Sequence, residues 1–251
     1  MQGQSQRLRM RDAQLANQRA ARLRRIVIVG SAVLALVLIA VMVVVLVQQK
    51  QAPAASAPSE MAYPPNATAA RDGIIINDNK GKPDVGLYFD YQCSHCVQFE
   101  QSFGGALTLL GQTGEIRLVH HTRVFLDSGN ADGLSHKAAL AAACADVVGA
   151  YAQFHAAIFE AAPQGPYTDK LLLETIPAQL GMTGTDLTAF RSCNANQNLA
   201  PFVQNVEDAA MKAGLTETPL LTVNGKAIPA TTFNGKTGDD LKAIIDAAAK
   251  G

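Results

Sequence analysis

The segment Cys93-Ser94-His95-Cys96 carries the most definite chemistry in the chain. A helix N-terminus presents unpaired backbone N–H groups and about half a positive charge, and both favour an anion. If this segment opens a helix, Cys93 ionises more easily than a free thiol of pKa about 8.5. His95, two residues on, offers a further N–H donor or a positive charge. Cys96 lies one turn along, within bonding distance yet less exposed, and fits the thiol that resolves a mixed disulfide. A lowered thiol pKa stabilises the reduced form, which makes the disulfide the more oxidising.

Other residues compete for attention. Cys93 and Cys96 with His95, His120 and His121 resemble half of a zinc site, but structural zinc needs a second ligand pair that Cys144 and Cys193 do not form. No metal ligand is therefore assigned, nor any cofactor; a purely structural Cys93–Cys96 disulfide is the remaining alternative. Ser94 lacks the flanking glycines of a nucleophile elbow. Cys144 and Cys193 read as a disulfide stapling two helices, in preference to two free thiols or a second redox pair. Glu100, on the helical turn after the cysteines, is either a proton relay or a solvated acid. His120 and His121 on a strand point to opposite faces, so at most one approaches the cysteines. His155 reads as a satisfied helix histidine and His136 as a solvated one. Thr218-Pro219 precedes a strand, where proline is awkward unless it is at an edge or in cis. A cis-proline loop beside the cysteines would offer the Thr218 backbone to an extended substrate.

The surrounding pattern supplies the elements. Ile74-Ile75-Ile76 suggests a strand closed by Asn77-Asp78-Asn79, and 85–91 a stronger one that runs directly into the cysteines. Val97, Phe99, Phe103, Ala106, Leu107 and Leu110 then recur at helical spacing until Gly111 and Gly114. Residues 115–125 read as a strand again, completing a βαβ unit with the cysteines at its first strand-to-helix junction. Residues 134–161, 169–180, 186–193 and 201–213 read as helices. Asn224-Gly225 between two apolar runs predicts a hairpin, and 237–250 an amphipathic helix. The order is βαβ, helical block, ββα: an α/β fold with a helical insertion over about 130–213.

The N-terminal part is different. Residues 1–25 carry Arg7, Arg9, Arg11, Arg19, Arg22, Arg24 and Arg25 against the single acid Asp12, and 26–47 is an uncharged apolar run. Crossing a bilayer core takes roughly 20 apolar residues, so 26–47 reads as one transmembrane helix. A secretory signal usually has a shorter apolar region, although the Ala-rich sequence that follows leaves cleavage open. The arginines place the N-terminus in the cytoplasm and everything after Val47 outside. The formal net charge of zero thus combines a basic arm with a mildly acidic outer domain, and that domain shows no basic stripe for nucleic acid. Residues 48–70, rich in Ala, Pro, Ser and Gln, read as a semi-extended linker, and 71–251 as the folded domain. All four cysteines lie beyond the apolar run, as an oxidising compartment permits.

The stretch LYFDYQCSHCVQFE, the later HKAALAAACADVVGAYAQFHAAIFEA and the TPLLTVNGK segment together resemble the DsbA-like thioredoxin-fold thiol–disulfide oxidoreductases, most nearly the membrane-anchored actinobacterial type. The resemblance covers about 73–249 in the same order. It implies a thioredoxin-like fold with a helical insertion, with Cys93 as nucleophile, Cys96 as resolving thiol and Pro219 as the cis-proline. His95 keeps the residue by which those oxidases stabilise the thiolate. Ser94 stands where the most familiar members have proline, and this dipeptide tunes redox potential. The function implied is disulfide formation in exported proteins, the partners being unfolded thiol-bearing chains and a quinone-linked membrane reoxidant. A reductase or isomerase on the same fold, or an exported metal-binding module, is the alternative.

Overall fold

Val85, Leu87 and Phe89 alternate with Gly86, Tyr88 and Asp90 along one strand, and almost all of them are buried, so the strand must lie inside a sheet covered on both faces. The computed structural model, which describes residues 62–250, places it there. The five strands are β1 (Ile74–Asn77), β2 (Asp84–Asp90), β3 (Arg117–Arg123), β4 (Leu220–Val223) and β5 (Lys226–Ile228), in the order β1-β3-β2-β4-β5. β2 and β3 run parallel, from Asp84↔Arg117 to Asp90↔Arg123. Their crossover is helical: α1 (Ser94–Phe99), a π-helical turn (Glu100–Gly104) and α2 (Gly105–Gln112). β4 runs antiparallel on the other side of β2, from Val85↔Val223 to Tyr88↔Leu220. The start of β4 therefore lies beside the end of β2. Asn224 and Gly225 both take positive φ, the conformation that a two-residue hairpin between β4 and β5 requires.

Five further helices form the block between β3 and β4. They are α3 (Leu134–Asp146), α4 (Tyr151–Ala161), α5 (Ile176–Gln179, entered through a π-helical turn Leu171–Thr175), α6 (Gly184–Ala195) and α7 (Ala200–Lys212). α3 is the axle of the block. Its alanines 138, 139, 141, 142, 143 and 145 are all buried, as expected of a helix apolar all round. Their small side chains let α4, α6 and α7 all pack against it. The chain ends in α8 (Leu241–Lys250), led in by a capping box between Thr237 and Asp240.

The expected order of elements is the observed one, and two of the differences in extent are set by glycines. The single helix expected over 134–161 breaks between α3 and α4, where the N–H groups of Val147, Val148 and Gly149 turn back to the carbonyls of Cys144, Ala145 and Asp146 and Gly149 takes φ 70°. The strand expected over 115–125 begins only at Arg117, because Gly114 takes φ 78° and the N–H groups of Glu115 and Ile116 still close the end of α2 on the Leu110 carbonyl. In these two a left-handed glycine reroutes the turn.

The basic arm and the apolar run 26–47 lie outside the described residues. Among the described residues no helix is long and apolar enough to cross a membrane. The end of the expected linker is engaged by the fold before Arg71. The carboxylate of Asp146 accepts hydrogen bonds from the backbone N–H of Asn66 at 2.9 Å and from its side-chain amide at 2.8 Å.

Two long-range ties hold the block to itself and to the sheet. Cys144 on α3 and Cys193 on α6 form a disulfide, the staple expected of them. Arg123, at the end of β3 and fully buried, is held by Glu207 of α7 through Nε at 2.8 Å and Nη2 at 2.7 Å. Glu207 also accepts the Val124 N–H at 3.0 Å. Burial raises the pKa of Glu207, but its hydrogen bonds from Arg123 outweigh this and hold it below the ordinary value.

The disulfide spans a sequence separation of 49 residues, a loop whose closure stabilises a fold by about 4 kcal/mol in the chain-entropy description. Replacing both cysteines, Cys144→Ala with Cys193→Ala, is expected to lower the free energy of unfolding by about that amount, read as a fall in the urea midpoint. An unmoved midpoint would show that the staple contributes nothing to stability.

Candidate active site

Cys93 occupies the place that the end of β2 prepares for it. After Asp90 the chain turns, with the Cys93 N–H bonded to the Asp90 carbonyl at 3.0 Å. Cys93 is the N-cap of α1, with φ −77° and ψ 115°, and no side-chain oxygen caps this helix. Ligand sites in open α/β sheets lie beyond the C-terminal ends of parallel strands, and Cys93 sits at such an end. Its side chain is half-buried, whereas Cys96 is 1% exposed. Both are reduced.

Opposite the sulfur stands the segment before β4. The Thr218–Pro219 peptide bond is cis, and the Cys93 thiol donates to the Thr218 carbonyl at 3.5 Å across a sequence separation of 125 residues. Among the described residues the buried Thr218 hydroxyl has no hydrogen-bond partner. The pKa of Cys93 falls to about 5, chiefly through the hydrogen bond from the Cys96 thiol. Burial opposes the fall, while the Thr218 side chain and the backbone N–H groups of Cys96 and His95 add to it. Cys96 moves the other way, its pKa raised by its bond to Cys93 and by burial. One accessible, easily ionised thiol next to one enclosed thiol is the asymmetry that thiol exchange needs.

The expected site residues divide clearly. Cys93, Cys96, Ser94, His95, Thr218 and Pro219 come together. His95 is exposed, and it is its backbone N–H, not the ring, that the Cys93 sulfur meets. Cys144 and Cys193 belong to the helical block, and their sulfurs are consumed by each other. Glu100 is not a solvated acid. Its side chain is enclosed, and its Oε1 accepts from His155 Nε2 at 3.3 Å. His155 Nδ1 in turn faces the Tyr91 hydroxyl at 3.1 Å. With Nε2–H donating to the carboxylate, Nδ1 is left to accept from Tyr91. Gly104 makes room for this arrangement, since a methyl group there would collide with Glu100 Oε2.

The remaining histidines are structural. His120 lies 4.4 Å from His155, ring to ring, and burial followed by that neighbour keeps it neutral. His121, on the opposite face as expected, stacks on Tyr88 at 4.1 Å and contacts the Asp72 carbonyl at 2.6 Å. His136 is a correction: expected to be solvated, it is 6% exposed, because its place in the first turn of α3 faces the interior of the helical block.

A polar network under the cysteines escaped the sequence reading. Asp90, fully buried at the end of β2, accepts from the Gln92 N–H at 2.9 Å, from the Leu126 N–H at 3.3 Å and from the Ser135 hydroxyl. Burial pushes its pKa up to about 6 against these bonds. The Gln92 amide donates to Asp127 Oδ1 at 2.6 Å and to Ser135 Oγ at 2.7 Å. Asp127 also accepts the N–H groups of Ser135 and His136, which open α3. Tyr167 completes the clamp by donating to the Tyr91 carbonyl at 2.7 Å. The available signal was an acid closing an apolar strand three residues before Cys93, a position tolerable only with buried partners.

A dithiol at the N-terminus of the crossover helix, faced by a cis-proline segment, defines a class. The family model described as Thioredoxin matches residues 69–247, and the chain belongs to that family. Among solved structures, the chain is similar to MdbA, a thiol–disulfide oxidoreductase from Actinomyces oris, with TM-score 0.64 and 18% identity over 75% of this chain and 93% of that one. The MdbA thiol–disulfide oxidoreductase of Corynebacterium diphtheriae gives TM-score 0.59 and 19% identity over 75% and 94%. Reduced DsbA from Mycobacterium tuberculosis gives TM-score 0.51 and 22% identity over 71% and 98%. At these identities the likeness is one of fold. No curated protein matches the sequence.

Titrating the thiolate absorbance of the reduced protein is expected to show one group ionising near pH 5, lost in Cys93→Ala and retained in Cys96→Ala at a higher value, because the Cys96 donor is gone. The sign for stability follows. A thiol whose pKa is depressed in the fold stabilises it fully above the unfolded value of about 8.5, and that contribution fades as pH falls towards 5. The reduced protein should therefore gain stability relative to the oxidised one as pH rises through that window. A titration at the ordinary thiol value would overturn the assignment of Cys93.

Proposed function

We propose that the protein is a thiol–disulfide oxidoreductase that forms disulfides in exported polypeptides. One observation carries this reading: the half-exposed Cys93 sulfur, its pKa lowered to about 5, faces the Thr218 carbonyl while Cys96 stays enclosed. In the oxidised enzyme Cys93 and Cys96 share a disulfide. A substrate thiolate attacks Cys93 Sγ, the sulfur open to solvent, and Cys96 departs, taking a proton as its raised pKa requires. A second substrate thiolate then attacks the substrate sulfur of the mixed disulfide. The new substrate disulfide forms and Cys93 leaves as a thiolate, the better leaving group for its low pKa. The substrate loses two electrons, which the Cys93–Cys96 pair takes up. In this reading the extended substrate lies along Thr218, whose carbonyl is already turned towards the reacting sulfur. The lowered Cys93 pKa favours the oxidising direction over a reductase role.

Reoxidation of the dithiol requires an acceptor of two electrons and two protons, for which a quinone-linked membrane partner is proposed on the strength of the resemblance. Placement outside the cytoplasm is supported by the Cys144–Cys193 disulfide, which persists in oxidising compartments. The arginine-rich arm before the apolar run 26–47 supports a single-pass anchor with its N-terminus in the cytoplasm. Glu100, held by His155 and linked through it to Tyr91, is assigned as a relay for the proton that Cys96 exchanges.

The test is covalent. Expressed in its host, Cys96→Ala should accumulate mixed disulfides with exported proteins, visible as bands that collapse on reduction, whereas Cys93→Ala should show none. Absence of such adducts with Cys96→Ala would defeat the reading. A measured potential near that of cytoplasmic thioredoxins, about −270 mV, would turn it towards reduction.

A further inference from the structure

The helical block encloses a cavity of about 520 Å³ that shares no lining residue with the cysteine loop. Its walls are α3, the π-helical turn before α5, and α6. The volume falls within the range of small-molecule sites, about 300–1000 Å³. His136 lines it at 6% exposure, and its Nε2 is buried without a hydrogen-bond partner among the described residues. Asn194 lines it from α6, and its Nδ2 is likewise buried and unmatched. Buried polar atoms are normally bonded, so both call for a partner from within the cavity. Arg191 stands one turn before Asn194 on the same helix face, i to i+3, and also lines the space. Its guanidinium makes no ion pair or hydrogen bond among the described residues. Unmatched donors side by side are the complement of a carboxylate. Leu140 and Leu172, both buried, make part of the lining apolar. The remaining charge is acidic. Asp132 and Glu174 are exposed and form no ion pair among the described residues, whereas Lys137 is already held by Asp169 at 3.0 Å. A simple anion would meet Arg191 but also the two acids, and a simple cation would leave Arg191 and the Asn194 amide unmatched. A small molecule with both charges and an apolar group satisfies every one of them. Burial lowers the pKa of His136 against the pull of Asp127 and Asp132, so its ring is neutral at pH 7. Its Nε2 can then meet an ammonium proton or a carboxylate oxygen, according to its tautomer.

We infer that this cavity is a binding site for a free apolar α-amino acid such as leucine. The carboxylate of the ligand takes the Arg191 guanidinium and the Asn194 amide, its ammonium group takes Asp132 and Glu174, and its side chain lies against Leu140 and Leu172. His136 Nε2 bonds to one of the two charged ends. The site is separate from the dithiol, so the inference goes beyond the oxidoreductase reading and does not depend on it.

The experiment is equilibrium dialysis of the full-length chain in detergent against radiolabelled L-leucine. Saturable retention with a dissociation constant of about 1 mM or tighter is expected. Three unlabelled competitors each lack one recognised group: isocaproate has no ammonium, isoamylamine no carboxylate and glycine no apolar body. Each should compete about tenfold more weakly than leucine, the loss expected for one charge-assisted or apolar contact. Two substitutions at exposed positions then assign the ends. Arg191→Gln should lower the preference for leucine over isoamylamine about fivefold, and Glu174→Gln should lower the preference for leucine over isocaproate by a similar factor. Preferences are ratios taken within one protein, so a partly damaged variant still reports. No saturable retention up to about 10 mM leucine, competition by any one analogue as strong as by leucine, or preferences unmoved by both substitutions would each overturn the site. Every readout is binding, so such a failure leaves the dithiol chemistry untouched.

Discussion

The antiparallel register between β2 and β4 is the constraint on which the site depends. Tyr88 pairs with Leu220, so Pro219 and Thr218 are carried just past the end of β2, where the chain turns into the cysteine helix. A shift of one residue would exchange the faces of β4 and move the Thr218 carbonyl off the Cys93 sulfur. The register is pinned by burial on both sides, since Leu220, Leu221, Thr222 and Val223 are all buried. It is pinned again by the tight Asn224-Gly225 turn, whose Asn224 N–H reaches the Asp84 carbonyl at 2.7 Å. Core packing thus sets the catalytic distance.

Around that register the environment treats two chemically identical thiols differently. Cys93 stands at the open end of the helix, with backbone N–H groups and the Cys96 thiol aimed at it. Cys96, a turn deeper, is held protonated by its bond to Cys93 and by burial, which outweigh the bonds from Thr218 and Asp90 that favour its ionised form. The bond between the two thiols, their unequal depth, the Thr218 side chain and the N–H groups of the helix end together separate them. Directly below, Asp90 is kept buried by three hydrogen bonds and ties the cysteine loop to the first turn of α3 through Ser135.

The helical block is therefore more than a lid. Asp127 and Ser135 clamp Gln92, Tyr167 holds the Tyr91 carbonyl, and His155 holds Glu100. Each contact ends within a few residues of the dithiol, and each begins on the block or the turn leading into it. The staple between α3 and α6 fixes the block that supplies these contacts.

Local pattern alone determined the place of the dithiol. A strand running into Cys93, apolar residues at helical spacing after it, and Asn224-Gly225 between two apolar runs are all properties of neighbouring residues, so the order of elements was legible. The helix-end effect on Cys93 was legible for the same reason. The tertiary structure decided what depends on register and packing between distant segments. The pairing of Thr218 with Cys93 spans 125 residues, Ser135 with Asp90 spans 45 and His155 with Glu100 spans 55. His136 looked like a surface residue because its helix start is polar in sequence, and only the packing of the block showed it enclosed. Spacing along the chain fixes which side chains share a helix face, but it carries no information about which face another segment will cover.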